Sequence, residues 1–221
     1  MKIKNIVFSI VEYFIRNIPG GLGQRIRYIY YSKRFAQCGK NVLIDIGVIF
    51  HNPENIYIGS DIFFFPYSII TAKPPNEKFD QRILKIKKNT SFENAEGSIH
   101  IGDQVSIGAY NIIQGYGGVS IGSKVTTSAR VNIYSFSHYP YSENDRSLIT
   151  YANAMVDGPI SCIKSPIVID EGVWLGLSVS IFGGKIGKNS FISSFTTVNS
   201  NFDSNLIIKG NPASEDSKRF K

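Results

Sequence analysis

Three histidines, two cysteines and one tryptophan are the residues of this 221-residue chain that bear most directly on chemistry. The histidines are His51, His100 and His138, and no two stand at the short spacing of a metal-binding pair. A catalytic zinc of the all-histidine kind needs three imidazoles on one ion, so no metal is expected. Cys38 and Cys162 make no CxxC pair, which argues against a disulfide framework and a structural zinc site and suits thiols in a reducing cytosol. What remains is acid–base chemistry, for which a neutral imidazole near pH 7 is the suitable side chain.

The charge balance narrows the partners. Lys and Arg number 24 against 17 Asp and Glu, a formal charge of +7, which favours polyanions such as phosphates, nucleic acid or an acidic membrane. No nucleic-acid reader motif is present and the basic residues are scattered, so nucleic acid is not expected. With 43% hydrophobic and 19% charged residues, the chain can bury a core, and gross disorder is excluded. No apolar run is long enough to span a bilayer. Lys2 and Lys4 precede apolar residues, but Glu12 and Arg16 interrupt the stretch and no small-residue cleavage site follows. The segment is read as retained and the protein as cytoplasmic.

The elements that must position these residues are of two kinds. Over 3–18, apolar residues at Ile3, Ile6, Val7, Ile10, Val11, Phe14, Ile15 and Ile18 repeat as on an amphipathic helix. Pro19-Gly20-Gly21 ends it. A second helical stretch runs from Arg25 to Phe35. The apolar stripe of the first helix must be covered, either on an end of the folded body or on a membrane surface, and the weakly cationic polar face favours packing.

From residue 41 a six-residue beat replaces helical periodicity. Ile101, Ile107 and Ile113 are followed by Ile121, Thr127 and Ile133, then Ile169, Leu175 and Ile181, then Ile186, Ile192 and Val198. Such a beat matches a β-solenoid whose flat sides take about six residues each. The first residue of each hexad points inward, and the Gly or Asp beside it suits a bend where positive φ is cheap. Two segments, 72–98 and 139–165, break the beat and read as inserted loops on a functional face. What is left amounts to about six three-sided coils. The expected organisation is a helical segment at 1–40, a solenoid domain at 41–208 and a tail at 209–221, all-β apart from the short N-terminal helices.

Three stretches resemble the hexapeptide-repeat acyltransferase superfamily, the left-handed parallel β-helix enzymes, and most of all the sugar and polysaccharide O-acetyltransferases. They are IGSKVTTSARVNIYSFSH at 121–138, PIVIDEGVWLGLSV at 166–179 and KGNPA at 209–213. The resemblance implies a homotrimer with acetyl-CoA, the acyl donor, bound between adjacent solenoids. It also implies that His138, which ends a coil just before a long insertion, is the general base. An acceptor hydroxyl must lose its proton as it attacks the thioester, and no second nucleophile is then needed. By the same resemblance Trp174 lines the cofactor tunnel, Gly176 lets the backbone approach the pantetheine, and Ser194 and Asn199 lie near the cofactor. His51 and His100 have no landmark around them and read as structural.

The chain departs from the family pattern in two places. Leu177 stands where relatives often carry a serine, so main-chain N–H groups would have to hold the oxyanion. After GNPA come Ser214, Glu215, Asp216 and Ser217, which shifts cofactor phosphate contacts toward Lys209 or Lys218. Asn111, Gln114 and Arg146 are candidates to contact the acceptor, and Glu143 or Asp145 to orient His138. The expected reaction is acetylation of a hydroxyl on a sugar of a bacterial surface polysaccharide, O-antigen or capsule, or of its precursor. The alternatives are N-acetylation of a nucleotide-linked amino sugar and, more remotely, a non-catalytic solenoid scaffold.

Overall fold

A computed structural model describes residues 3–74, 85–86, 91–139 and 161–220 of the chain. Six coils, at 37–51, 56–71, 99–114, 119–134, 167–181 and 184–198, wind so that each contributes one short strand to each of three parallel sheets. The first sheet runs from Gln37–Cys38 to Gly184–Ile186, the second starts at Val42–Ile44, and the third runs from Ile49–His51 to Thr197–Val198. The expected coil number is met.

The six-residue beat becomes vertical columns of side chains. In the third sheet Phe50, Ile70, Ile113, Ile133, Ile181 and Val198 stand in register, all at most 4% exposed. In the second, Ile44, Phe64, Ile107, Thr127, Leu175, Ile192 and Ile208 form the matching column. Strands of two or three residues have little stability of their own, so this stacked aliphatic core holds the fold. Thr127 is the polar member. Its hydroxyl accepts from the Gly108 amide at 2.9 Å and from the Asn111 side chain, whose oxygen accepts from the Val131 amide at 2.8 Å.

The glycines that follow the inward residues do not serve the purpose the sequence suggested. The left-handed bend positions are mostly other residues, among them Asn41, Asp61, Gln104, Lys124, Asn189 and Asn205 at one corner. Even Tyr67, Tyr110, Arg130 and Phe195 take φ near +60° at another. Gly102, Gly108, Gly122 and Gly176 do not have left-handed φ; they sit where one coil passes against the next. A Cβ on Gly122 would lie 2.7 Å from the Glu171 amide nitrogen and 2.8 Å from the Asp170 carbonyl carbon. Backbone in a stacked coil cannot yield as a side chain would. Gly122→Ala is therefore expected to cost about 1–3 kcal/mol, visible as a lowered Tm. Gly21→Ala, with nothing within 4 Å of the added atom, should leave Tm unchanged or slightly raised.

At the N-terminal end, helix α1 spans Ile3–Asn17 and helix α2 spans Gly20–Ser32. The second helix thus starts inside the Pro-Gly-Gly segment that was expected only to break the first, because Pro19 takes the N-cap position. Gly23 permits this close junction: a Cβ there would meet the Ile18 carbonyl oxygen at 1.9 Å. It is α2, rather than α1, that closes the solenoid. Tyr31 and Phe35 pack on Phe50, with ring centroids 4.9 Å away in each case. Arg27, fully buried, donates to the carbonyls of Ile44 (2.8 Å), Ile15 (3.0 Å) and Ile18 (2.7 Å). At the other end, Leu206–Lys209 and Ser214–Lys218 pair antiparallel and extend the second sheet.

Candidate active site

Both insertions leave the solenoid from one corner. The first follows Ile69–Thr71 and the second follows Asn132–Tyr134, both strands of the third sheet. They meet outside it: Phe136–Tyr139 pairs antiparallel with Ser161–Lys164, which pairs parallel with Lys85–Ile86. Glu96 of the first insertion binds Lys164 of the second at 2.5 Å. Two segments far apart in sequence therefore form a single small arm beside the third sheet.

His138 lies on this arm and is exposed. It borders a groove of about 480 Å³ lined by Thr71, Gln114, Tyr116, Tyr134, Phe136 and Ser137. The pairing of the third sheet explains the floor: Thr71, Gln114 and Tyr134 end successive strands in register. Phe136 and His138 stand two apart on one strand and so share a side of it, with ring centroids 6.3 Å apart. The Gln114 side-chain oxygen is buried and has no hydrogen-bond partner among the described residues. A buried acceptor in that state is costly, and a donor entering the groove would satisfy it.

From sequence, Cys162 reads only as a thiol of a reducing compartment, with no place in the site. The antiparallel register sets it directly opposite His138, with its Sγ 3.5 Å from the imidazole Nδ1. In the tautomer with the proton on Nδ1, that nitrogen donates to sulfur and the Nε2 lone pair is left to accept a proton. The six-residue beat carries no information about an antiparallel pair outside the solenoid, so the sequence held no signal for this contact. Glu143, Asp145 and Arg146 lie outside the described residues.

The other candidates divide. Gln114 joins His138 in the groove. Asn111, 1% exposed, is turned inward and its amide is used by Thr127 and Val131, so it supports the coil rather than lining the groove. Trp174 is 47% exposed on the second sheet, between Thr126 and Phe191. Gly176 follows it, and Ser194 on the next coil accepts from the Leu177 amide at 3.1 Å. A Cβ on Gly176 would lie 2.6 Å from the Ser194 amide nitrogen, so coil stacking by itself accounts for that glycine. Asn199 is exposed just beyond the last strand of the third sheet. Lys209 pairs with Asp216, and Lys218 lies 3.7 Å from Glu215, so both carry acidic partners from the terminal hairpin. Trp174 and His138 belong to different faces of one solenoid, the second sheet and the arm beside the third.

His100 stacks on Tyr57 at 4.2 Å between centroids, its Nε2 3.0 Å from the Ser98 hydroxyl. Burial pushes its pKa down and favours the neutral ring. His51 is exposed at the end of the first coil. Among the described residues no three His, Cys, Asp or Glu side chains gather as metal ligands.

The chain is 28% identical over 194 residues to dTDP-4-amino-4,6-dideoxy-D-glucose acyltransferase of Escherichia coli, covering 84% of this chain and 85% of that one. Its fold matches AntD, an N-acyltransferase from Bacillus cereus solved with dTDP-4-amino-4,6-dideoxyglucose and coenzyme A. The TM-score is 0.69 at 18% identity, over 88% of this chain and 90% of that one. Galactoside acetyltransferase in complex with coenzyme A gives a TM-score of 0.53 at 21% identity, over 96% of this chain and 78% of that one. No protein-family model matches. The fold is the left-handed parallel β-helix. In sequence the chain is similar to an acyltransferase, and in fold to acetyltransferases of the hexapeptide-repeat kind.

Proposed function

We propose that this protein is an acetyl-CoA-dependent acetyltransferase acting on a sugar hydroxyl in a bacterial surface polysaccharide or its precursor, with His138 as general base. The observation that carries the reading is the exposed His138 imidazole at the edge of a groove floored by Gln114 and walled by aromatic rings. Aromatic faces and a side-chain amide suit a sugar, whose ring is apolar on its faces and polar at its edge. The imidazole takes the acceptor proton as the oxygen attacks the thioester carbonyl, and coenzyme A leaves.

The site is completed by a second copy in a homotrimer. Trp174, Ser194 and Lys209 lie away from the His138 arm in one chain, so a donor held along the second sheet reaches His138 only across a subunit boundary. Exposed apolar residues support such a boundary: Phe65, Tyr67, Tyr110, Leu177 and Phe195 stand at the corner between the second and third sheets. Five large apolar groups on one edge are more than a solitary surface needs.

A second reading has its own support. The E. coli relative is by name an acyltransferase of dTDP-4-amino-4,6-dideoxy-D-glucose, and AntD is an N-acyltransferase solved with that kind of sugar nucleotide, which favours N-acetylation of a nucleotide-linked amino sugar. An amine needs less help from a base than a hydroxyl does. The two readings separate when the purified protein is given labelled acetyl-CoA and a panel of hydroxyl sugars and nucleotide-linked amino sugars. Label on the hydroxyl sugars supports the first reading; label confined to the amino sugars establishes the second; none on either class overturns both.

A further inference from the structure

The net charge is confined to one end of the molecule. Residues 1–40 hold eight basic residues and one acidic one, Glu12. The remaining 16 basic and 16 acidic residues cancel, so the solenoid is neutral and the whole +7 belongs to the helical segment. Part of that charge is internal: Arg27 is buried, and Arg34 pairs with Glu12. Arg25, Lys33 and Lys40 are exposed.

The first helix is mounted the reverse of the usual way. It faces the body with its polar side, where Glu12 accepts from Arg34 and from the Tyr30 hydroxyl at 3.1 Å. The Arg16 carbonyl accepts from the Gly47 amide at 3.1 Å. The apolar side is left outside, with Ile10 53%, Tyr13 61% and Phe14 65% exposed. On α2, Leu22 and Ile29 are exposed too, and alternate with Arg25 and Lys33 at helical spacing. Packing of the apolar stripe on the solenoid end, the course the sequence favoured, is not what the structure shows.

We propose that this two-helix face docks on an anionic lipid surface, with Ile10, Tyr13, Phe14, Leu22 and Ile29 in the acyl boundary and Arg25 and Lys33 at the headgroups. An exposed apolar helix face bordered by cations is the arrangement that lies in a membrane interface. No helix among the described residues is long and apolar enough to cross a membrane. A second copy of the chain is a poor occupant, because it would set one segment of charge +7 against another. The rest of the chain, with 16 basic and 16 acidic residues, adds no net positive charge to compete for the membrane. The inference does not depend on which acceptor the enzyme uses.

The test is flotation of the full-length protein with phosphatidylcholine vesicles, with and without phosphatidylglycerol. Binding is expected to the anionic vesicles only and to weaken as salt rises. The double variants Ile10→Asn/Phe14→Ser and Arg25→Glu/Lys33→Glu are each expected to reduce it by about tenfold or more, with Tm unchanged because all four side chains are exposed. Equal binding to neutral vesicles, no binding, or parent-like binding by Ile10→Asn/Phe14→Ser overturns the proposal. If that variant instead lowers the particle mass by light scattering while the parent ignores vesicles, a second copy covers the face.

Discussion

His138→Ala is expected to lower kcat by about 10²–10⁴, the usual contribution of a positioned general base, with little change in Tm or acetyl-CoA affinity. The side chain stands on an arm outside the stacked core, and its ring touches the Phe136 edge and Cys162 but none of the core columns. Its removal opens no cavity in the solenoid. A variant retaining more than about half the parent kcat on the native acceptor would remove His138 from the mechanism. Because Cys162 meets Nδ1, Cys162→Ala should lower kcat while leaving acetyl-CoA affinity as it is. An unchanged kcat would show that the thiol does not orient the ring.

Arg27→Ala is expected to be the most damaging single change to stability that leaves the active-site groove untouched. The guanidinium is fully buried and joins three parts of the chain: the first helix and the link after it through the Ile15 and Ile18 carbonyls, α2 through its own backbone, and the first coil through the Ile44 carbonyl. Burial lowers its pKa, with Asp45 and Tyr31 acting in the opposite sense, but an arginine stays charged throughout the working range. Truncation leaves the carbonyls without a donor and a void beneath the cap. Each buried carbonyl left without its donor costs about 1–3 kcal/mol, so the loss is a substantial share of the roughly 5–15 kcal/mol typical of a domain. Thermal or urea unfolding reads the loss directly. The hypothesis that α2 is the structural cap fails if the variant unfolds like the parent.

The part of the molecule legible in sequence is the part governed by short periods. A hexad of aliphatic residues leaves one inward position per flat side, and stacking such residues is the only way strands this short can bury area. The beat Ile101-Ile107-Ile113 therefore became the inward positions of three sheets. Even the insertions were visible, as the places where the beat stops. The apolar stripe of the first helix was legible for the same reason, as a 3.6-residue period.

What periodicity could not express was decided by contacts between distant segments. The recurring Ile-Gly steps are spaced for coil-on-coil clearance, which depends on the neighbouring coil's backbone rather than on the glycine's own φ. The side of α1 that faces the body depends on Glu12 finding Arg34 and Tyr30, twenty-two and eighteen residues on. Cys162 reaches His138 only because the two ends of the second insertion return antiparallel, and Gln114 joins them because its strand ends beside Tyr134. Local sequence determined which residues point in or out of a coil; the close approach of backbones and the return of long loops determined which chemistry-bearing residues meet.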